Sequence, residues 1–493
     1  MDDKVATAEK SFKLLLPQTL AAFFVTSLHL LVGQVIAFSG IIVPQLFEDA
    51  NGTIPITESG GAWIASAPVF SGFAASIVGG MLSDSIGRLN TLMWAGLPGI
   101  VGSVLIAMAP NLSMIIWGRA IMGISWMFVS VATPVYISEI SHPDIRGFLL
   151  TFLQVFLSLG SVLVYLKGWA MSWRIVSWIT ILYIAVPVVL IFFMPESPPW
   201  LVSKGRNDRA RKSLEWLHSN HPNLKEKVEK DLCALQAEHE EKLKQSSEKL
   251  TLKEHLKMYL LPTFYKPFLI ICGIITLQQF TGIYVLLFNS VIFFKDIGTD
   301  KDPYLASVCI CSVKVVMSVV NTWFMKTFNR RPLLITSAVG MAVCMGLSGM
   351  FTQWIQEGST YSSWIPVSLV LLYIMFGAIG IMSVPFLVAG ELFPLAIRGI
   401  AYSLIITAAN VMTFAALQAY FPLYHALGGS AGLQYFFGAV SVAVLVFIYV
   451  FLPETHKFTL TEIENHFWTH STYLFKKNKV GPCTDGEQGN SAI

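Results

Sequence analysis

Apolar residues in this chain come in blocks of about 20, the length a helix needs to cross about 30 Å of hydrocarbon. Six such blocks centre on residues 18–44, 62–82, 91–109, 112–139, 147–168 and 173–194. Six more centre on 266–294, 303–325, 332–352, 364–390, 399–421 and 430–452. Runs this long cannot alternate polar and apolar residues as barrel strands do, so each predicts a spanning helix that satisfies its own backbone. The first block is too long for a signal sequence and lacks a clear small-residue cleavage site, which predicts an uncleaved first helix. The expected fold is an all-α membrane protein with twelve transmembrane helices in two pseudo-symmetric six-helix bundles. The N-terminal bundle covers 1–194, a cytoplasmic linker 195–262, the C-terminal bundle 263–455 and a cytoplasmic tail 456–493.

The polar breaks refine this picture. Lys204-Gly-Arg-Asn-Asp-Arg-Ala-Arg-Lys is basic, and a mixed-charge stretch from about Lys225 to Lys257 places Leu and Val at helical spacing. Short amphipathic helices at the membrane surface are expected there. Lys and Arg concentrate on the side that would hold both termini, which predicts that this side is cytoplasmic. The composition, 54% hydrophobic and 13% charged, excludes a dispersed soluble protein, and a net charge of +3 gives no reason to expect nucleic acid. The six cysteines fall outside the expected external loops and lack His company, so neither a structural disulfide nor a metal site is predicted. Asn51-Gly-Thr is a glycosylation sequon in the first external loop. The sequon at Asn111 sits in a turn too tight and too close to lipid.

One signature occurs twice. Pro134-Val-Tyr-Ile-Ser-Glu139 leads to Arg146-Gly147, and Pro385-Phe-Leu-Val-Ala-Gly-Glu391 leads to Arg398-Gly399. Pro195-Glu196-Ser and Pro453-Glu454-Thr form a second pair, and Gly87-Arg88 and Asn329-Arg330-Arg331 a looser third. The chain therefore reads as two related halves, the construction of many secondary transporters, with solute held between them near the bilayer midplane. Asp84, Arg88, Glu139, Arg146, Glu196, Arg330, Glu391, Arg398 and Glu454 put both signs of charge at one membrane face in both halves. They could simply anchor topology. Matching carboxylates in the two halves favour interhelical salt bridges that close the cytoplasmic side and break when it opens.

These motifs resemble the sugar porter family of the major facilitator superfamily, which includes facilitative glucose transporters and insect facilitated trehalose transporters. The resemblance covers about residues 15 to 465. It rests on Gly80…Asp84…Gly87-Arg88, Gly118-Arg119, the Glu139 and Glu391 motifs, Gln154, Trp173-Arg174, Pro195-Glu-Ser-Pro, Gln278-Gln279-Phe-Thr-Gly282 and Pro453-Glu-Thr. Divergent insect trehalose-transporter-like members look closest. The resemblance implies two bundles that rock to give alternating access.

Gln154, Gln278 and Gln279 lie in apolar helices at positions matching the family's sugar ligands. A buried amide needs a partner, either another helix or a sugar hydroxyl. Elsewhere the family pattern is altered: Tyr284 stands in place of an Asn, Lys314 of an Asn, Phe386 of a Trp and Asn410 near another Trp. Lys326 and Asn329 replace the usual Asp and Gly of the second inner motif. Lys314 is expected to face a wet cavity or a partner, because a Lys at a helix centre costs about 2.5–3.5 kcal/mol. Helix 1 has no carboxylate, which suggests passive transport, and His29 reads as a packing residue. The expected function is facilitative uniport of a hexose or trehalose-like disaccharide across the plasma membrane. The alternative is a non-sugar, anionic organic solute held by Lys314. A nutrient sensor is disfavoured by the short tail. An enzyme is disfavoured because no nucleophile–base set, phosphate loop or metal cluster appears. No cofactor is expected.

Overall fold

The computed structural model describes residues 2–49, 54–247, 262–297, 302–359, 361–393 and 398–454. The first half holds α1 (Asp2–Thr26), α2 (His29–Phe47), α3 (Glu58–Ile86), α4 (Arg88–Ala107), α5 (Leu112–Ile140), α6 (Pro143–Ala170) and α7 (Trp173–Phe192). The linker folds into α8 (Pro198–Ser203), α9 (Asn207–Leu217) and α10 (Leu224–Ser247). The second half holds α11 (Pro262–Phe280), α12 (Ile283–Asp296), α13 (Pro303–Thr327), α14 (Arg330–Gln356), α15 (Trp364–Ile379), α16 (Val384–Glu391), α17 (Arg398–Ala426) and α18 (Ser430–Phe451).

Twelve stretches among the described residues are long and apolar enough to cross a membrane, from Leu14–Phe47 to Ser430–Phe451. Each contains or overlaps one of the apolar blocks. Three crossings are broken, a feature that block length alone does not predict. Span 1 breaks at Ser27–Leu28, span 7 at Thr281–Gly282 and span 10 between Gly380 and Ser383. Gly282 has φ +88°, a left-handed conformation that a side chain disfavours, and it separates α11 from α12. Pro385 sits in the first turn of α16, where its missing N–H costs nothing.

The halves repeat one packing plan. In the first, α5 packs on α3 and α4, α4 on α7 and α2 on α6. In the second, α15 packs on α13 and α14, α14 on α18 and α11 on α17. Within the first half some helices approach backbone to backbone. A Cβ on Gly33 would lie 1.8 Å from Leu157 O, and one on Gly160 would lie 2.2 Å from Leu30 O, so α2 and α6 meet where both lack side chains. Between halves the seams are α2 on α12, α3 on α17 and α6 on α13.

The linker helices share a small core of Trp200, Leu201, Val202, Ala210, Leu214, Val228 and Leu232. Trp200 Nε1 donates to Asp84 O at 2.9 Å, and Tyr136 OH donates to Pro195 O at 2.7 Å. These bonds fix α8 beneath the first half and define a linker end of the bundle. Short helices were expected here; α8 and α9 have 6 and 11 residues, and α10 is 24 residues long. Asn51 and the 456–493 tail lie outside the described residues. Asn111 caps α5, its Oδ1 accepting from Met114 N at 3.0 Å. The described cysteines are free thiols.

Candidate functional site

At the end opposite the linker the halves touch through individual side chains. Ser39 Oγ donates to Phe288 O at 2.8 Å, and Tyr165 OH donates to Leu287 O at 3.0 Å. Gln418 Nε2 donates to Ser66 Oγ at 2.9 Å, and His425 Nε2 lies 2.7 Å from Glu58 Oε2. Lys295 pairs with Glu48. Deeper in, Phe414 of α17 sits among Trp63, Phe70 and Phe73 of α3 at centroid distances of 5.5 to 6.3 Å.

Below this closure lies a cavity of about 690 Å³ that runs from mid-bundle toward the linker end. Both halves line it: Thr151 and Gln154 from α6, Tyr284 from α12, Lys314 to Met325 from α13, and Phe386 from α16. Arg330 and Tyr402 mark its mouth. Gln154 is exposed, Tyr284 and Phe386 are half-buried, and Lys314 is 4% exposed. Four of the seven expected solute residues therefore share one space. Gln278, Gln279 and Asn410 are not among its lining residues. Gln278 Nε2 donates to Ile381 O at 2.7 Å, tying the end of α11 to the break between α15 and α16. Tyr373 OH donates to Thr281 O at 2.6 Å, so the broken spans 7 and 10 are joined to each other. Gln278 Oε1, Gln279 Oε1 and Asn410 Nδ2 are buried without a partner.

Four lining residues that the sequence motifs do not mark are Met317, Ser318, Asn321 and Thr322. With Lys314 and Met325 they recur at helical spacing, so small polar groups on one face of α13 are the available signal. Asn321 Nδ2 donates to Ser383 Oγ at 2.9 Å, while its Oδ1 has no partner. Among the described residues Lys314 has no ion-pair partner. The lining thus offers amide and hydroxyl groups beside two aromatic faces, chemistry suited to a ligand that both donates and accepts hydrogen bonds.

The charged motifs gather at the linker end. Arg88 makes a bidentate pair with Glu139: Nε donates to Oε2 and Nη2 to Oε1, both at 2.9 Å. Arg88 Nη1 donates to Ser83 O at 2.8 Å and lies 3.2 Å from Asp84 Oδ1. Ser197 Oγ donates to Glu139 Oε2 at 2.5 Å. Glu196 accepts from Leu89 N at 3.1 Å, capping α4. Burial pushes the Glu196 carboxyl above its ordinary range, against the pull of the Ser197 and Leu89 amides. The second half repeats the plan: Arg330 Nη1 donates to Met325 O at 2.6 Å, and Glu454 accepts from Arg330 N and Arg331 N at 3.1 Å each. Arg146 Nη2 donates to Ser141 O at 3.5 Å. The side chains of Glu391 and Arg398 lie outside the described residues. These contacts of Arg88, Glu139, Glu196 and Glu454 are interhelical and join elements of one half.

The sequence pattern of the family described as "Sugar (and other) transporter" matches residues 21–467 of the chain. The facilitated trehalose transporter Tret1-1 of Drosophila simulans is 31% identical over 453 residues, covering 91% of this chain and 51% of that protein. The Tret1-2 homolog of Drosophila sechellia is 31% identical over 453 residues, covering 91% and 90%. The chain thus spans about half the length of the first of these relatives. The inward-open structure of the xylose transporter XylE from E. coli superposes with a TM-score of 0.68 at 21% identity, over 92% of this chain and 99% of that one.

Proposed function

The chain belongs to the sugar (and other) transporter family, and on that premise we propose that it is a facilitative carrier of a sugar, either a hexose or a trehalose-like disaccharide. The observation that carries the reading is the cavity of about 690 Å³ lined by both halves and closed at the end away from the linker. A solute in it touches α6 on one side and α12, α13 and α16 on the other, so rocking the halves would carry it from one side to the other. Gln154 and Asn321 supply amides to hydroxyl groups, Ser318, Thr322 and Ser383 supply hydroxyls, and Tyr284 and Phe386 supply faces for the ring. Gln278, Gln279 and Asn410 join this set through their unpartnered amide atoms, which a further movement of the broken helices would bring to the solute. The inner charges act as a hinge lock that keeps each half rigid at the linker end. In the cell the linker end faces the cytoplasm, with both termini inside and the plasma membrane as the site of action.

Movement of solute is passive in this reading. The first span, Leu14–Phe47, carries no Asp or Glu to couple a proton. Purified protein in proteoliposomes is expected to equilibrate radiolabelled trehalose or glucose with the lumen and no further. Accumulation well above the external concentration under an imposed pH gradient refutes passivity. Absence of flux for every sugar in a panel, with another solute moving, refutes the sugar.

A further inference from the structure

A second cavity, about 440 Å³, lies away from the central one, where the linker helices meet the ends of α4 and α7. Its two walls differ in chemistry. One is the apolar rim of the bundle, where Phe192 and Phe193 are 72% and 67% exposed. The other is built by α9 and the turn before it. Ala210, Ser213, Leu214 and Leu217 of α9 are buried, so helical periodicity sets Arg209, Lys212 and Trp216 along one flank. Arg206 stands over the Trp200 ring at 5.7 Å.

The cations of this wall are uncommitted. Among the described residues no ion pair involves Arg206, Arg209 or Lys212, whereas Arg211 on the other flank pairs with Glu229 at 2.6 Å. The single carboxylate on the cavity, Glu196, is engaged by the backbone amides of Leu89 and Ser197. Three free positive charges therefore face a space whose opposite wall is exposed aromatic surface. The cavity also lies beside the ends of two apolar stretches long enough to span, which end at Phe192 and begin at Arg88, the level expected for lipid headgroups.

We propose that this cavity binds an anionic phospholipid of the leaflet on the linker side. Its phosphate and acidic headgroup meet Arg206, Arg209 and Lys212, and its acyl chains run along Phe192 and Phe193. A soluble phosphate would use the cations but leave the two Phe rings without a role. A zwitterionic lipid would offer one phosphate, but its headgroup ammonium would cancel that charge and face three cations. Trp216 at the boundary fits the usual place of an amphipathic ring between headgroup and chain.

The test uses full-length protein in phosphatidylcholine vesicles with photoactivatable phosphatidylserine or phosphatidylcholine at equal mole fraction. Labelled peptides are mapped by mass spectrometry. The serine lipid is expected to label residues 192–216 preferentially. Arg209→Gln and Lys212→Gln are each expected to cut that labelling about fivefold, the effect of one basic residue near an anionic surface. Both side chains are exposed, so thermal unfolding should match the parent. Arg211→Gln should leave labelling unchanged. Equal labelling by both lipids overturns the proposal, as does labelling that survives both substitutions. Displacement by excess inorganic phosphate overturns it in favour of a soluble anion.

Discussion

Contacts inside a half and contacts between halves are made of different material. Inside the first half, α2 and α6 approach through Gly33 and Gly160 so closely that a single Cβ would strike a backbone carbonyl. At its linker end a bidentate Arg88–Glu139 pair and the Glu196 cap tie α3, α4, α5 and α8 together. Between the halves the far end is held by single hydrogen bonds, exposed ion pairs and one aromatic cluster, and toward the linker end a cavity intervenes. Backbone-to-backbone packing has no second low-energy arrangement nearby. A set of bonds worth about 1 kcal/mol each does, because water can replace every one. Movement therefore belongs to the seam, which can part between halves that hold their shape.

The largest expected effect attacks the rigid side. Gly160→Val places branched carbon against Leu30 O, which cannot step aside, and should cost about 3 kcal/mol or more. Thermal unfolding in detergent and size-exclusion profiles should show a collapsed yield. A well-folded Gly160→Val protein would remove the claim that this half is rigid by close packing.

A smaller loss is expected for Glu139→Gln. It leaves Arg88, whose side chain is 11% exposed, with only the 79% exposed Asp84 as a charged partner. Stability should fall by about 3 kcal/mol, the low end for a broken buried pair, since Asp84 still compensates in part. Proteolysis is expected to find α8 first, because Ser197 and Arg88 then compete for the one oxygen that Gln retains. Unchanged melting would reduce this cluster to a topology anchor.

Changes at the seam should be smaller and of another kind. Tyr165→Phe removes one bond between halves, about 1 kcal/mol. It should spare folding and shift the population toward opening at the far end by about fivefold. Glu58→Gln should do less, about 0.5 kcal/mol, because its contact with His425 is exposed and is an ion pair only when that ring is protonated. Labelling of a cysteine introduced at the far end reads both. Equal labelling in parent and variants would mean that these contacts do not hold that end closed.

Part of the cavity lining is legible in the order of the amino acids alone. Gln154 and Lys314 stand out because each is polar within an apolar helix, whereas Tyr284 and Phe386 stand out only as departures from the motifs of the family the chain resembles. Met317, Ser318, Asn321 and Thr322 do not stand out, because Ser, Thr and Asn are tolerated in any buried helix. Only their common face toward the cavity gives them meaning. Gln278 reads as a solute ligand in the sequence, yet its Nε2 is found on Ile381 O, a partner far along the chain.

That twelve helices cross a membrane, that two halves share a plan and that charge gathers at one end can all be read from the order of residues. Those properties are written in local hydropathy and in repeated motifs, and they need no knowledge of which helix touches which. Packing, in contrast, set the breaks in spans 1, 7 and 10 and the pairing of Arg88 with Glu139 of its own half. It also decided which end of the seam is shut. Such outcomes depend on helix rotation and on distances between residues far apart in the chain, where a turn of a few tens of degrees exchanges a cavity wall for a lipid face.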